Sequence, residues 1–202
     1  MDAGDIDSVS WYDRNLDAYA SRDDPVNLAH LRERFLAHIP PGGRILDAGC
    51  GAGRDSRVFR DLGYAVTPTD ASLEMVRYVR NTLHLNAIRL RHEDVSFERE
   101  FDGVWSMASL LHVPHADLPD VMQRYRNALV PDGALFASFK YGDEQILFDE
   151  RLFANHNEDT FGAAVARVSG LELLEVWAEP DVRPGNEGQS WLCGICRRVE
   201  PR

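Results

Sequence analysis

Hydrophobic positions in the first forty residues fall at helical spacing. Trp11, Tyr12, Leu16 and Tyr19 mark one stretch over 8–20, and Leu28, Leu31, Phe35 and Ile39 share one face of a second. Asp24-Pro25 supplies a start signal for the second helix, and Pro40-Pro41-Gly42-Gly43 supplies its stop. From Arg44 onward the period changes. Arg44–Ala48, Tyr64–Thr69, Ala87–Leu90, Phe101–Met107 and Ala134–Phe139 are short apolar runs that predict strands. Between them, Arg54–Leu62, a segment capped by Ser72 and running to Asn81, and Asp117–Leu129 keep helical spacing. Strands alternating with helices build βαβ units, which give a parallel sheet covered by helices on both faces.

The last third breaks this rhythm. Residues 142–157 are polar and read as loop or short helix, and 159–168 suits a helix. Leu171–Ala178 and Gln189–Arg197 are two strand-like runs joined by Glu179-Pro-Asp-Val-Arg-Pro-Gly-Asn-Glu-Gly188. With no crossover helix between them, neighbouring strands must run antiparallel. The sheet is therefore expected to end in an antiparallel hairpin added to a parallel core.

Composition narrows the classes of function. The chain has 202 residues, with 33 acidic and 22 basic side chains and a net charge of −11. Such acidity, with no basic tract, argues against a polynucleotide partner, because phosphate contacts need clustered Lys and Arg. No apolar run is long enough to span a membrane, and the first residues lack the apolar stretch of a secretory signal. A cytoplasmic protein is the expectation. Lys140 is the only lysine in the chain. Cys50, Cys193 and Cys196 do not form a disulfide framework. Cys193-Gly-Ile-Cys196 has the spacing of a redox pair, but it lies inside an expected strand and not at a helix start, so packed thiols are expected. Nothing in the pattern calls for a metal.

The candidate chemistry centres on Ile45-Leu-Asp-Ala-Gly-Cys-Gly-Ala-Gly53, which runs from a buried strand into a helix. Gly49, Gly51 and Gly53 alternate, allowing positive φ and close approach of a ligand to the backbone near free N–H groups at the helix start. A dinucleotide fingerprint would need glycine where Arg54 stands, which counts against a nicotinamide-dependent oxidoreductase. Three acids follow at strand ends: Asp47, Asp70 nineteen residues beyond Gly51, and Asp94 in His92-Glu93-Asp94-Val95. Asp70 suits a ribose diol, and open α/β sheets bind ligands at that rim.

These residues resemble those of class I S-adenosylmethionine-dependent methyltransferases, in the small-molecule and tellurite-resistance-like branch. The resemblance is carried by LDAGCGAG (46–53), YAVTPTDAS (64–72), HEDV (92–95), FDGVWSMASLLHV (101–113) and LVPDGALFASFKYG (129–142). It implies a Rossmann-like sandwich with a seven-stranded, mostly parallel sheet. The chain would be one domain: a helical cap over 1–40, a cofactor-binding core over 41–142, and a C-terminal half over 143–202 with the final hairpin. It also implies S-adenosylmethionine as cofactor. Asp47 would be a further cofactor-binding residue, with Gly49 and Gly51 at the methionine end, Asp70, Ala71, Ser72 and Met75 around the adenosine, and Asp94 and Val95 at the adenine. Tyr19 would close over the methionine end, and Arg54 would either pair with the cofactor carboxylate or stand as a helix-surface arginine.

The acceptor is then expected to be a small molecule, methylated at O, N, S or a metalloid atom. Direct displacement at a sulfonium needs alignment in a dry site, and proximity alone supplies about 7–11 kcal/mol. His112, after the fourth strand, is the candidate base or substrate contact, with helix capping or packing as the alternative. Ser106, Ser109 and His115 lie in the same segment. Tyr12, Lys140, Tyr141, Arg183 and Trp191 are candidate substrate contacts. The fourth-strand block lacks the Asn/Asp-Pro-Pro-Tyr and Pro-Cys patterns of base-modifying enzymes. A non-catalytic cofactor-binding subunit is the alternative that the residues leave open.

Overall fold

In the computed structural model, residues 8–23, 27–183 and 185–200 are described. Asp24-Pro25 lies outside them. The N-terminal stretch forms α1 (Ser8–Arg14) and α2 (Leu16–Asp23), followed by α3 (Ala29–Leu36). The single expected helix over 8–20 divides at Asn15, whose side-chain amide donates to the Trp11 carbonyl at 2.8 Å. The local side-chain bond competes with helix continuation, as Asn does at helix ends.

The core alternates as the pattern predicts: β1 (Arg44–Ala48), α4 (Arg54–Asp61), β2 (Ala65–Asp70), α5 (Leu73–Leu83), β3 (Ile88–Arg89), β4 (Phe101–Ser106), α6 (Leu118–Ala128) and β5 (Leu129–Lys140). The chain continues through β6 (Gln145–Phe148), β7 (Arg151–Ala154), α7 (Glu158–Ala166), β8 (Leu171–Pro180) and β9 (Ser190–Arg198). Seven strands form one sheet in the order β3-β2-β1-β4-β5-β9-β8, with β9 antiparallel to both β5 and β8 and the other pairs parallel. This is the expected Rossmann-like sandwich with its terminal hairpin.

Alternation along the strands divides the core into two layers. Ile45, Trp105, Phe136 and Cys193 face α3 and α4, packing with Phe35 and Phe59. Leu46, Val104, Leu135, Phe139 and Cys196 face α6 and α7, packing with Met122, Tyr125 and Phe161. Trp105 stacks on Phe136 with centroids 4.0 Å apart. Its indole N–H donates to Asp55 Oδ2 at 3.0 Å, and Arg32 and Arg54 reach the same buried carboxylate at 2.6 and 2.8 Å. Burial pushes Asp55 up, but the two guanidinium groups and the indole outweigh it and hold it below its usual value. That cluster joins α3, α4 and β4.

The cysteine spacing has a geometric outcome. Positions three apart in a strand of period two point to opposite faces, so Cys193 and Cys196 lie in different core layers and cannot pair without breaking β9. Burial pushes each thiol up to about 12.

One expectation is corrected. Residues 142–157 are not loop or helix but contain the β6–β7 hairpin. Its turn residues Asp149 and Glu150 both have positive φ, 52° and 61°. Two left-handed residues are what a type I′ two-residue hairpin turn requires, yet Asn-Gly or Asp-Gly is the usual carrier. An Asp-Glu pair gives no such signal.

Candidate active site

The residues after β1 turn sharply because the N–H groups of Gly49 and Cys50 both donate to the Thr69 carbonyl at the end of β2, each at 2.8 Å. The turn needs positive φ at Gly49 (77°) and Gly51 (54°). It also leaves no room for side chains. A Cβ on Gly49 would lie 1.7 Å from Ser109 Oγ, and one on Gly51 would lie 2.9 Å from the Tyr19 ring. Above these glycines opens a cavity of about 350 Å³, lined by Gly49, Gly51, Asp70, Ala71, Ser72, His92, Glu93 and Ser109, among others.

Asp70 is organised by backbone. Its Oδ2 accepts from the Gly51 N–H and its Oδ1 from the Ser72 N–H, both at 2.8 Å. Burial raises it to about 6, against the pull of those donors. Ser72 caps α5 by accepting from the Met75 N–H at 3.1 Å. Its hydroxyl in turn donates to Asp13 of α1 at 2.6 Å, so the N-terminal helices are tied to the rim of this cavity. On the far side stands His92, half-buried, with Nε2 2.9 Å from Ser109 Oγ and Nδ1 2.5 Å from the Tyr125 hydroxyl. Burial lowers it to about 4, so it is a neutral, fixed part of the wall.

A second cavity, about 620 Å³, opens between the N-terminal helices, the β6–β7 hairpin and the β8–β9 loop. Trp11, Phe153 and Trp191 line it, with Arg54, Lys140, Arg151 and Arg183 as cations and Glu179 and Asp181 as carboxylates. Four residues line both cavities: Tyr12, Tyr19, Ala108 and His112. The Tyr12 and Tyr19 rings meet edge to face at 5.4 Å. His112 Nδ1 lies 2.6 Å from the Leu152 carbonyl, which only accepts, so Nδ1 carries the proton. Nε2 is then the acceptor for the Tyr12 hydroxyl at 2.8 Å. Burial lowers His112 to about 4, leaving a neutral imidazole with its lone pair directed at the junction. Ala108, at φ 53°, occupies a left-handed conformation unusual outside glycine, which places local strain at the same point.

The structure thus gathers Gly49, Gly51, Asp70, Ala71, Ser72, Tyr12, Tyr19 and His112 around the glycine cavity and its junction, and Lys140, Arg183 and Trp191 around the second. Other sequence-derived candidates fall elsewhere. Asp47 is buried behind the glycine turn, accepts from the Ser56 hydroxyl at 2.5 Å, and is raised to about 8 by burial and then by Asp55. Met75 and Val95 are core side chains, fully and almost fully buried. Asp94 is exposed, because the single 3₁₀ turn over His92–Asp94 presents His92 and Glu93 to the cavity instead. Arg54 lines the second cavity, with its guanidinium on Asp55. Tyr141 points outward and donates to Glu158 at 2.8 Å. Ser106 is buried within β4, and His115 bonds the Asn155 carbonyl at 2.8 Å.

His92, Arg151 and Phe153 are not singled out by the sequence pattern. His92 lies in the HEDV block beside two acids of more obvious binding chemistry. Arg151 and Phe153 lie on the unexpected β7, so no local signal located them.

Residues 45–133 match the family model described as a methyltransferase domain. The ubiquinone biosynthesis O-methyltransferase of Xanthomonas campestris pv. campestris is 33% identical over 122 residues, 57% of this chain and 49% of that one. The corresponding Haemophilus ducreyi protein is 34% identical over 145 residues, 64% of this chain and 58% of that one. The chain spans about half the length of the curated relatives it matches. Among solved structures, the Burkholderia thailandensis 1,6-didemethyltoxoflavin-N1-methyltransferase, bound to 1,6-didemethyltoxoflavin and S-adenosylhomocysteine, superposes with a TM-score of 0.72. It is 20% identical, with 99% of this chain and 94% of that one covered. The [4+2]-cyclase SpnF superposes at 0.71 with 15% identity, covering 95% and 94%, so the fold is shared beyond methyl transfer. The glycine turn and the backbone-held Asp70 lie within the segment that matches the methyltransferase domain, and the fold is the one shared with these solved structures.

Proposed function

We propose that this protein transfers a methyl group from S-adenosylmethionine to an O, N, S or metalloid atom of a small molecule by direct displacement. The observation that carries the reading is the pair of joined cavities. One is built on the glycine turn and Asp70, the other on aromatic side chains, and Tyr12, Tyr19, Ala108 and His112 stand at their common wall. The first is roomy enough for a nucleoside-sized ligand, since small-molecule sites run to about 300–1,000 Å³. Gly49 and Gly51 leave backbone exposed where a side chain would fill the space. Asp70 keeps lone pairs for hydroxyl donors beyond the two N–H groups it already accepts.

When bound, the cofactor supplies a methyl group on a sulfonium, a good leaving group. The residues therefore have to orient the acceptor and exclude water more than activate anything. Tyr19 covers Gly51, and the α1–α2 helices close the junction. Tyr12 and His112 form a donor–acceptor pair at that point, so a proton released by the acceptor has a route to Nε2 through the Tyr12 hydroxyl. Among the described residues no helix is long and apolar enough to cross a membrane. A cytoplasmic location remains part of this proposal, as does a small-molecule rather than polynucleotide acceptor.

Titration calorimetry with S-adenosylhomocysteine and with NAD tests the cofactor half. Binding of S-adenosylhomocysteine is expected, and binding of NAD alone would overturn the reading. Release of S-adenosylhomocysteine with any small acceptor separates an enzyme from a non-catalytic binding subunit.

A further inference from the structure

The second cavity has a charge pattern that the reading above does not use. Lys140 ends β5, and its Nζ lies 4.5 Å from the centroid of the Phe153 ring. Among the described residues no carboxylate comes within ion-pair distance of it. The Arg151 guanidinium carbon lies 3.6 Å from the Trp11 ring centroid and 5.2 Å from that of Phe153. Its Nη2 reaches Asp149 at 3.2 Å, on the exposed turn of the hairpin, but its Nε is buried with no hydrogen-bond partner. A buried donor without a partner is costly and rare in a settled structure. Arg183 is held by Asp181 at 2.5 Å and adds its own field to Lys140. Burial, then Arg183 and Arg151, lowers Lys140, and the opposing pull of Asp181, which is bound to Arg183, does not offset them.

This arrangement is unusual for a chain of net charge −11 with one lysine. Acidic side chains are abundant, yet among the described residues none forms an ion pair with Lys140. An open, largely apolar-walled site that holds Lys140 without an ion pair beside Arg151, whose Nε has no hydrogen-bond partner, suits a ligand that brings its own negative charge, because a low-dielectric wall strengthens that attraction. The aromatic lining adds a preference for a flat ring: Trp11, Tyr12, Phe153 and Trp191 supply π faces and edges.

We propose that the methyl acceptor is a planar aromatic anion, its negative group bound by Lys140 and Arg151 and its ring by the aromatic wall. This rests on the second cavity being the acceptor site. The anionic group is a binding handle, separate from the atom that receives the methyl. The ring is therefore held by one end while the other faces the Tyr12–His112 junction.

The test uses 3,4-dihydroxybenzoate and its neutral counterpart 3,4-dihydroxybenzamide, each titrated into protein saturated with S-adenosylhomocysteine. The benzoate is expected to bind at least tenfold more tightly than the amide, and more weakly as salt rises. Lys140→Met and Arg151→Gln should each weaken the benzoate about tenfold, leave the amide unchanged, and leave S-adenosylhomocysteine affinity unchanged. Lys140→Arg should retain most of the preference. Equal binding of acid and amide, binding of neither, or an unaltered benzoate affinity in both charge-removing variants overturns the proposal. Failure of the wild-type protein to bind S-adenosylhomocysteine at the outset would overturn the cofactor reading instead, and it is read before either probe is added.

Discussion

Replacing Gly49 with alanine separates the demands of the backbone from those of the cavity. Gly49 has φ 77°, and a Cβ there would lie 1.7 Å from Ser109 Oγ and 2.5 Å from Ser109 Cβ. The left-handed conformation alone costs an alanine about 1–2 kcal/mol. Ser109 must also move, and its hydroxyl is the partner of His92 Nε2 at 2.9 Å. Leaving that half-buried nitrogen without a partner adds about 1–3 kcal/mol. The expected loss is therefore about 2–5 kcal/mol. Gly63 provides the control: its φ is 89°, and a Cβ there meets nothing within 4 Å. Gly63→Ala should lose only the conformational share, about 1–2 kcal/mol. Denaturant unfolding of both variants measures the difference, and calorimetry with S-adenosylhomocysteine reads the site. Affinity should fall at least tenfold in Gly49→Ala and stay unchanged in Gly63→Ala. If Gly49→Ala were no less stable than Gly63→Ala and bound the ligand normally, the argument that Ser109 and His92 shape the cavity would be wrong.

Asp70 is raised to about 6, so its carboxylate is the acceptor above that pH and becomes a hydroxyl donor below it. S-adenosylhomocysteine affinity should fall as pH drops through 6, and Asp70→Asn should bind weakly with no such dependence, as followed by calorimetry. His112 is lowered to about 4, so its imidazole is already neutral from pH 5 to 8. Turnover in that range should show no step that disappears in His112→Ala, and such a step near pH 6.5 would refute the buried, neutral assignment. Asp55→Asn leaves Arg32 and Arg54 without their shared buried anion. It should cost about 3–5 kcal/mol in chemical denaturation. Because Asp55 is held below its usual value, the stability it contributes is present above pH 4 and is lost as the pH falls through its folded value.

The hydrophobic pattern alone determined most of this protein's framework. Strands at Arg44–Ala48 and Phe101–Ser106, the Ser72 cap and the antiparallel β9 follow from local periodicity and from the absence of a crossover helix between the last two strands. The glycine turn and Asp70 were legible for the same reason, since they are neighbours on successive strand ends. Tertiary structure decided which side chains face the cavities. Asp94 and Glu93 are adjacent and chemically alike, and only the 3₁₀ turn after β3 sets which one is presented. Asp47 carries the chemistry of a ligand contact, but strand alternation turns it toward Ser56 behind the loop. The second cavity was the least legible part. Lys140, Arg151 and Trp11 come from segments far apart in sequence, and the hairpin bearing Arg151 is closed by an Asp-Glu turn without a glycine signal. Periodicity reports which face of an element is buried, whereas a site assembled across elements depends on how those faces dock.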